Sequence, residues 1–237
     1  MLEKLAIGLL LLTLFFISTT FIAELTQGGE WQRVLGMNLH RMLELLDLRE
    51  ENTLATWFSS MVFLMTGLAF LLLGWGSSPK FAISHLTRLV FKLATIGAVL
   101  LSADEVASIH ETAGKWFQRF VSSFWVNAPP DEKGYFWVVL FAPFLLVGFL
   151  AAAYVLRQLI SNMPTERDWQ RYAAYVALLV ALLCLPGVFV FELLEWYLDN
   201  SVNHSSSILT CWEEAFEIIG MYSLFLCAML IARRYQL

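Results

Sequence analysis

The amino-acid sequence predicts an all-α, polytopic membrane protein: a bundle of six transmembrane helices with one additional interfacial amphipathic helix. Of the 237 residues, 59% are hydrophobic and only 15% are charged, and the mean hydropathy is +0.66. A soluble domain of this length needs a far larger polar surface. Six stretches also approach the roughly 20 apolar residues that a membrane-spanning helix requires. These observations predict one integral membrane domain over residues 1–237.

The predicted elements follow from the distribution of apolar residues along the chain. Between residues 30 and 48, apolar side chains such as Trp31, Leu35 and Leu45 recur at helical spacing, with Arg33 and Glu44 elsewhere on the helix. This pattern is typical of a helix lying on the outer membrane surface, where it rests on lipid or, alternatively, covers part of the protein as a lid. The six predicted spans cover residues 5–23, 57–75, 89–108, 136–156, 173–194 and 212–232.

The distribution of lysine and arginine predicts the orientation of these spans, because cytoplasmic loops carry an excess of basic residues. One side of the membrane receives nine basic residues: Lys4, Lys80, Arg88, Lys92, Arg157, Arg167, Arg171, Arg233 and Arg234. The other side receives six: Arg33, Arg41, Arg49, Lys115, Arg119 and Lys133. We therefore expect both termini to be cytoplasmic, and the expected location is a bacterial inner membrane.

Cysteine accessibility labelling on a cysteine-free background tests this topology. Probes at Gly28 and Pro130 are both expected to react from the non-cytoplasmic face, because an even number of spans separates them. Labelling of Pro130 from the cytoplasmic face alone would show that the orientation is inverted. Labelling of the two probes from opposite faces would show that the number of spans is wrong.

The acidic residues cluster at span ends rather than scattering along the chain. Along continuous helices, Asp104 lies 16 residues from Arg88, and Glu217 lies 16 residues from Arg233. At 1.5 Å per residue, both carboxylates are about 24 Å from these basic anchors. Ionisable groups in membrane spans are costly and face each other, water or an ion rather than lipid. The sequence thus predicts one polar chamber near the outer leaflet, formed by Asp104, Glu105, His110, Glu111, Glu192, Glu195, Asp199, Glu213, Glu214 and Glu217.

Helical spacing predicts that the members of each cluster share a face. In the third span, Asp104, Ser108, Glu111 and Lys115 fall on one stripe of a continuous helix. In the fifth span, Glu192, Glu195 and Asp199 form a comparable stripe. Glu213 and Glu217 are neighbours one turn apart in the sixth span. The Pro186-Gly187 pair just before Glu192 either interrupts the fifth span and frees backbone carbonyls, or is a simple kink that serves helix packing.

Crowded carboxylates cannot all ionise in a low-dielectric site without a counter-charge. Protons, ion pairs with Lys115 or Arg119, or a bound cation can each supply it. The acids outnumber the nearby basic residues, so we expect a divalent metal ion: Mg²⁺, Ca²⁺, Mn²⁺, iron or Zn²⁺. Oxygen-rich coordination favours the first four over a thiolate zinc site. The candidate metal ligands are Asp104, Glu105, His110, Glu111, Glu192, Glu195, Glu213, Glu214 and Glu217, with Glu111 and Glu217 as candidate catalytic bases.

Three classes of function agree with these residues. The first is a metal-dependent membrane enzyme acting on a lipid or lipid-linked substrate at the outer leaflet, where the metal activates water or polarises an oxygen. The second is a structural or accessory subunit whose acids pair with a protein partner or with a second copy of the chain. The third is a proton- or cation-coupled transporter. The net charge of −5 and the lack of a basic tract argue against nucleic acid as a partner.

Overall fold

A computed structural model describes residues 2–26, 42–49, 53–76, 83–124, 136–163, 168–202 and 207–236. Within these ranges the regular secondary structure is entirely helical. The helices are α1 (Leu2–Thr26), α2 (Leu54–Trp75), α3 (His85–Ala107), α4 (Ile109–Ser122), α5 (Phe136–Ser161), α6 (Asp168–Val202) and α7 (Ser207–Tyr235).

Six of these helices are long and apolar enough to cross a membrane, which confirms the predicted all-α, polytopic class. Each contains one of the apolar stretches identified in the sequence. The candidate spans are Lys4–Leu25, Leu54–Trp75, His85–Ala107, Trp137–Ser161, Trp169–Leu198 and Ile208–Tyr235. Helix α4 is shorter and more polar, so it is a connecting helix rather than a seventh span.

Helix α7 is the centre of the bundle. It has its most extensive contacts with α6 and also packs against α2, α1 and α5. Helix α2 pairs in turn with α3, while α3 and α5 lie at the periphery. Large apolar side chains such as Leu93 and Phe144 are exposed on these outer helices, as expected for surfaces that face lipid. The arrangement therefore buries α7 and leaves α3 and α5 as the outer wall.

The bundle has two chemically different ends. Arg88 at the start of α3, Arg157 near the end of α5 and Arg233 near the end of α7 mark what we call the basic end. The acids of α3, α6 and α7 mark the opposite, acidic end. The helices run without interruption from Arg88 to Asp104 and from Glu217 to Arg233, so the separation of about 24 Å along the helix axis holds.

Most of the predicted interfacial helix, residues 30–48, lies outside the described residues. Its last part, within residues 42–49, is a helical turn that packs on the acidic end of α1. The Thr19 hydroxyl donates to the Leu46 carbonyl (3.0 Å), and the Leu48 backbone N–H donates to the Thr20 hydroxyl (2.9 Å). Because Leu48 is buried, this portion is held against the bundle and does not simply rest on lipid.

Of the two interpretations of Pro186-Gly187, an interruption of the span is wrong, because α6 continues through both residues from Asp168 to Val202. Glycine is required there for packing rather than for a break. A Cβ at Gly187 would come within 2.7 Å of the Phe216 ring, and a Cβ at Gly220 would come within 2.7 Å of the Leu185 side chain. The two glycines thus let α6 and α7 approach closely, as small residues do between membrane helices.

Candidate carboxylate chamber

The acidic end of α3 is shaped by a sharp turn at Ser108. This residue has φ 44° and ψ 44°, a left-handed conformation that is uncommon for residues other than glycine. Its backbone N–H donates to the Asp104 carbonyl (2.7 Å), and α4 starts at the next residue. The predicted single stripe of Asp104, Ser108, Glu111 and Lys115 is therefore wrong, because these residues lie on two helices separated by a turn.

Asp104 and His110 are brought together by this turn. Asp104 Oδ1 accepts a hydrogen bond from the backbone N–H of His110 (2.7 Å), and Asp104 Oδ2 pairs with His110 Nδ1 (2.8 Å). One carboxylate thus caps the start of α4 and orients the imidazole. Burial by itself lowers the pKa of His110, but the hydrogen bond and charge of Asp104, with the charges of Glu192 and Glu217, raise that pKa to about 9.

Helices α6 and α7 bring three carboxylates into one cluster. One oxygen from each of Glu192, Glu195 and Glu213 lies within 4.8 Å of the other two. Glu192 and Glu195 are buried, and Glu213 is half-buried. The Trp137 indole N–H donates to Glu192 Oε1 (2.8 Å), and the Thr210 hydroxyl donates to Glu195. These donors fix the orientation of the two buried carboxylates. We call these three residues the glutamate triad.

The remaining predicted acids surround the triad. Glu217 interacts electrostatically with Glu105, His110, Asp104 and Glu192, and Glu214 interacts with Glu105, Glu217 and Glu192. The structure therefore brings together eight of the nine predicted metal ligands, which we call the acidic chamber: Asp104, Glu105, His110, Glu192, Glu195, Glu213, Glu214 and Glu217. Glu111, the ninth, is in α4, and its side chain lies outside the described part of the structure, as does that of Asp199.

A buried ion-pair cluster lies beside the chamber. Arg49 Nη2 lies 2.6 Å from Asp47 Oδ2, and Arg49 Nη1 contacts the Glu24 carboxylate. The Arg49 and Asp47 side chains are only 9% and 3% exposed. Burial lowers the pKa of Arg49, but the hydrogen bonds and charges of Asp47 and Glu24 raise it above its ordinary value. Asp47 also interacts electrostatically with Glu214, and this interaction links the ion-pair cluster to the chamber.

Several groups that hold the chamber together were not predicted from the sequence. Lys115 and Arg119 were the counter-charges considered from the sequence, and Arg49, which pairs with Asp47 and Glu24, was not. Trp137 was not among the predicted site residues, and its indole N–H donates to Glu192. The signal for Trp137 was its position at a span end, level with the acids. Arg49 was signalled only by its proximity in sequence to Asp47.

A helical bundle that carries a polar, acid-lined chamber at one end of its membrane spans defines the class of this protein. The chain matches a family model described as "Domain of unknown function (DUF8692)" over residues 4–232, and it belongs to that family. No curated protein and no solved structure matches the chain.

Proposed function

We propose that the acidic chamber binds a divalent cation and that the protein is a metal-dependent enzyme acting on a lipid or lipid-linked substrate at the membrane surface. The observation that carries this proposal is the glutamate triad, whose three ligand oxygens lie within 4.8 Å of one another. Two oxygens bound to the same ion at about 2.4 Å can be at most about 4.8 Å apart. The triad therefore has the dimensions of a shared cation site.

The electrostatics of the triad support a cation. Like charges at this distance in a low-dielectric environment repel strongly, so ionised carboxylates need a proton or a positive ion between them. Trp137 and Thr210 supply neutral hydrogen bonds and no positive charge. Carboxylate oxygens are the ligands preferred by Mg²⁺, Ca²⁺ and Mn²⁺. Iron and Zn²⁺ stay within the proposal because His110 lies in the same chamber.

The proposed roles divide between two parts of the chamber. Glu192, Glu195 and Glu213 would hold the cation, which supplies activation of water or polarisation of a substrate oxygen. Glu217 is the proposed base, since it lies among Glu105, His110 and Asp104. Asp104 orients the His110 ring through Nδ1, so Nε2 can bind a proton, a metal or a substrate atom. Glu111 is the alternative base.

A transport function receives less support from the helices. A coupled transporter needs polar groups that continue across the membrane. Residues 218–232 of α7 and 172–191 of α6 contain no Asp, Glu, Lys, Arg or His. Within the candidate spans of these two helices the acids are thus confined to one end, which fits a surface reaction better than a pathway.

Elemental analysis and thermal unfolding test the cation site directly. Protein purified in mild detergent is expected to retain a stoichiometric divalent metal, or to gain thermal stability when Mg²⁺, Ca²⁺, Mn²⁺, Fe²⁺ or Zn²⁺ is added. Binding to the folded state alone stabilises by about 2.7 kcal/mol at a hundredfold excess over Kd. A protein with no bound metal and no thermal shift with any of the five ions would refute the proposal.

A further inference from the structure

An apolar cavity of about 330 Å³ lies inside the bundle, directly beside the acidic chamber. Its wall is formed mainly by α3, α5, α6 and α7, and almost all of the lining side chains are hydrocarbon. Among the described residues that line it, Glu217 alone is ionisable. The cavity and the chamber therefore share Glu217, and they also share Trp137, whose indole lines the cavity and donates to Glu192.

The cavity is elongated along the helix axes. On α3 its lining residues run from Val90 to Leu101, which corresponds to about 16 Å of helix at 1.5 Å per residue. Half of a hydrocarbon core of about 30 Å is about 15 Å. The cavity thus has the length of one bilayer leaflet, with Glu217 towards the acidic end of the bundle.

The cavity lies against the lipid-facing wall of the bundle. It is lined by Leu93 of α3 and Phe144 of α5, and both side chains are also exposed on the outer surface. Two glycines line the cavity, Gly97 on α3 and Gly148 on α5, and a Cβ built on either would meet nothing within 4 Å. The missing side chains leave space between α3 and α5 rather than making close helix contacts.

We infer that this cavity binds a hydrocarbon chain of a membrane lipid, which enters between α3 and α5 and places the lipid head group in the acidic chamber. An apolar, leaflet-length cavity fits an acyl or isoprenoid chain, and its shared residues with the chamber fix which end the head group occupies. That this lipid is the substrate rests on the proposed function. Binding of the chain itself follows from the cavity alone.

The charge of the chamber selects the head group. Seven carboxyl groups, those of Asp104, Glu105, Glu192, Glu195, Glu213, Glu214 and Glu217, face one imidazole, that of His110. Each of these carboxyl groups carries either a negative charge or a proton, so His110 is the one cationic partner that the described chamber residues offer to an anionic head group, and a head group with an ammonium is better matched. The lipid is therefore one whose head group carries an ammonium or no net charge.

Photolabelling tests the inference with the full chain in vesicles. The probe is phosphatidylethanolamine with a diazirine in one acyl chain, diluted into phosphatidylcholine vesicles. Adducts are expected on Met221 and Leu224, which line the cavity but are otherwise buried, at 4% and 3% exposure. Lipid on the outer surface of the protein cannot label these two side chains. Adducts confined to exposed residues would overturn the inference.

Cavity-filling variants supply the matched comparison. Gly97→Phe and Gly148→Phe are expected to abolish the adducts on Met221 and Leu224, because the new ring occupies the space of the chain. Gly8→Phe on α1 is the control, since a Cβ there also meets nothing within 4 Å but Gly8 does not line the cavity. Unchanged labelling in both folded cavity variants would contradict the inference.

Two further experiments test the head-group assignment and the proposed enzyme separately from the binding of the hydrocarbon chain. Phosphatidylglycerol carrying the same diazirine is expected to label Met221 and Leu224 less than the ethanolamine lipid, and equal or stronger labelling would overturn the head-group assignment. Labelling is repeated after removal of metal with EDTA. Adducts that persist in a protein shown to bind no metal would support the chain site while refuting the proposed enzyme, so the two failures are distinguishable.

Discussion

Replacing Arg49 with methionine is expected to lower the free energy of unfolding by roughly 3–5 kcal/mol, the usual effect of removing one partner from a buried ion pair. Asp47 would keep a charge in a site where its side chain is only 3% exposed, and Glu24 would lose its contact with Arg49. The loss should appear as a lower midpoint in thermal unfolding in detergent. The same change removes the contact of Arg49 with Glu24 of α1, whereas the hydrogen bonds of Leu46 and Leu48 to Thr19 and Thr20 remain.

Two companion variants make this result interpretable. Arg119→Met removes an exposed arginine from α4 and is expected to change stability by less than about 0.5 kcal/mol. Asp47→Asn added to Arg49→Met should recover part of the lost stability, because the stranded charge is gone. If Arg49→Met unfolds at the same temperature as the unaltered protein, the ion pair does not stabilise the fold.

Amide substitutions in the glutamate triad are expected to weaken cation binding without lowering the stability of the fold, in contrast to Arg49→Met. Glu192→Gln, Glu195→Gln and Glu213→Gln should each weaken cation binding by at least about a hundredfold, since loss even of an outer-shell partner can weaken a site by ~10–100-fold. Each variant should also fold as well as the unaltered protein, or better, because like-charge repulsion is relieved. Metal titration and thermal unfolding of the same samples measure both effects.

Controls separate a ligand site from a structural cluster. Glu44→Gln alters an exposed carboxylate outside the chamber and should leave metal binding unchanged. Asp104→Ala should instead reduce stability by about 0.5–2 kcal/mol, because alanine cannot accept the hydrogen bond that caps α4. Triad variants that lose folded protein while the survivors keep the metal would show that the triad is structural and that the cation is bound elsewhere.

The spans and the relative depth of the acids were predictable because both depend only on the order of residues along a single helix. A continuous run of about 20 apolar residues in a bilayer forms a membrane-spanning helix. Placing Asp104 and Glu217 at equal distances from Arg88 and Arg233 needs only the rise per residue. These features do not depend on how neighbouring helices pack, so the sequence was sufficient for them.

The turn at Ser108 could not be predicted in the same way. Helical periodicity assumes a continuous helix, and a serine gives no sign of a left-handed conformation, which glycine or asparagine would favour. The turn is stabilised by contacts on both sides of it, chiefly Asp104 with the backbone and imidazole of His110. Such contacts become visible only when the three-dimensional arrangement is known.

Partners from distant parts of the chain were missed for a related reason. Trp137 and Glu192 are 55 residues apart, and Arg49 and Glu24 are 25 apart. Each residue alone fits a common interfacial role, for an indole or a guanidinium at the membrane surface. The pairing depends on how α5 meets α6 and on how residues 42–49 fold back on α1.

The two glycine contacts between α6 and α7 bear on which ion the protein would select. Gly187 against Phe216 and Gly220 against Leu185 set the spacing of the two helices close to the triad, with Gly187 five residues before Glu192. Because Glu192 and Glu195 are on α6 and Glu213 is on α7, that spacing also sets the gap between the carboxylates. Mg²⁺ needs oxygens at about 2.0–2.1 Å and Ca²⁺ at about 2.3–2.6 Å. Under the proposed function, the contact of the Phe216 ring with the backbone of Gly187 therefore sets the distance between the triad carboxylates. That distance determines the radius of the ion that the triad binds.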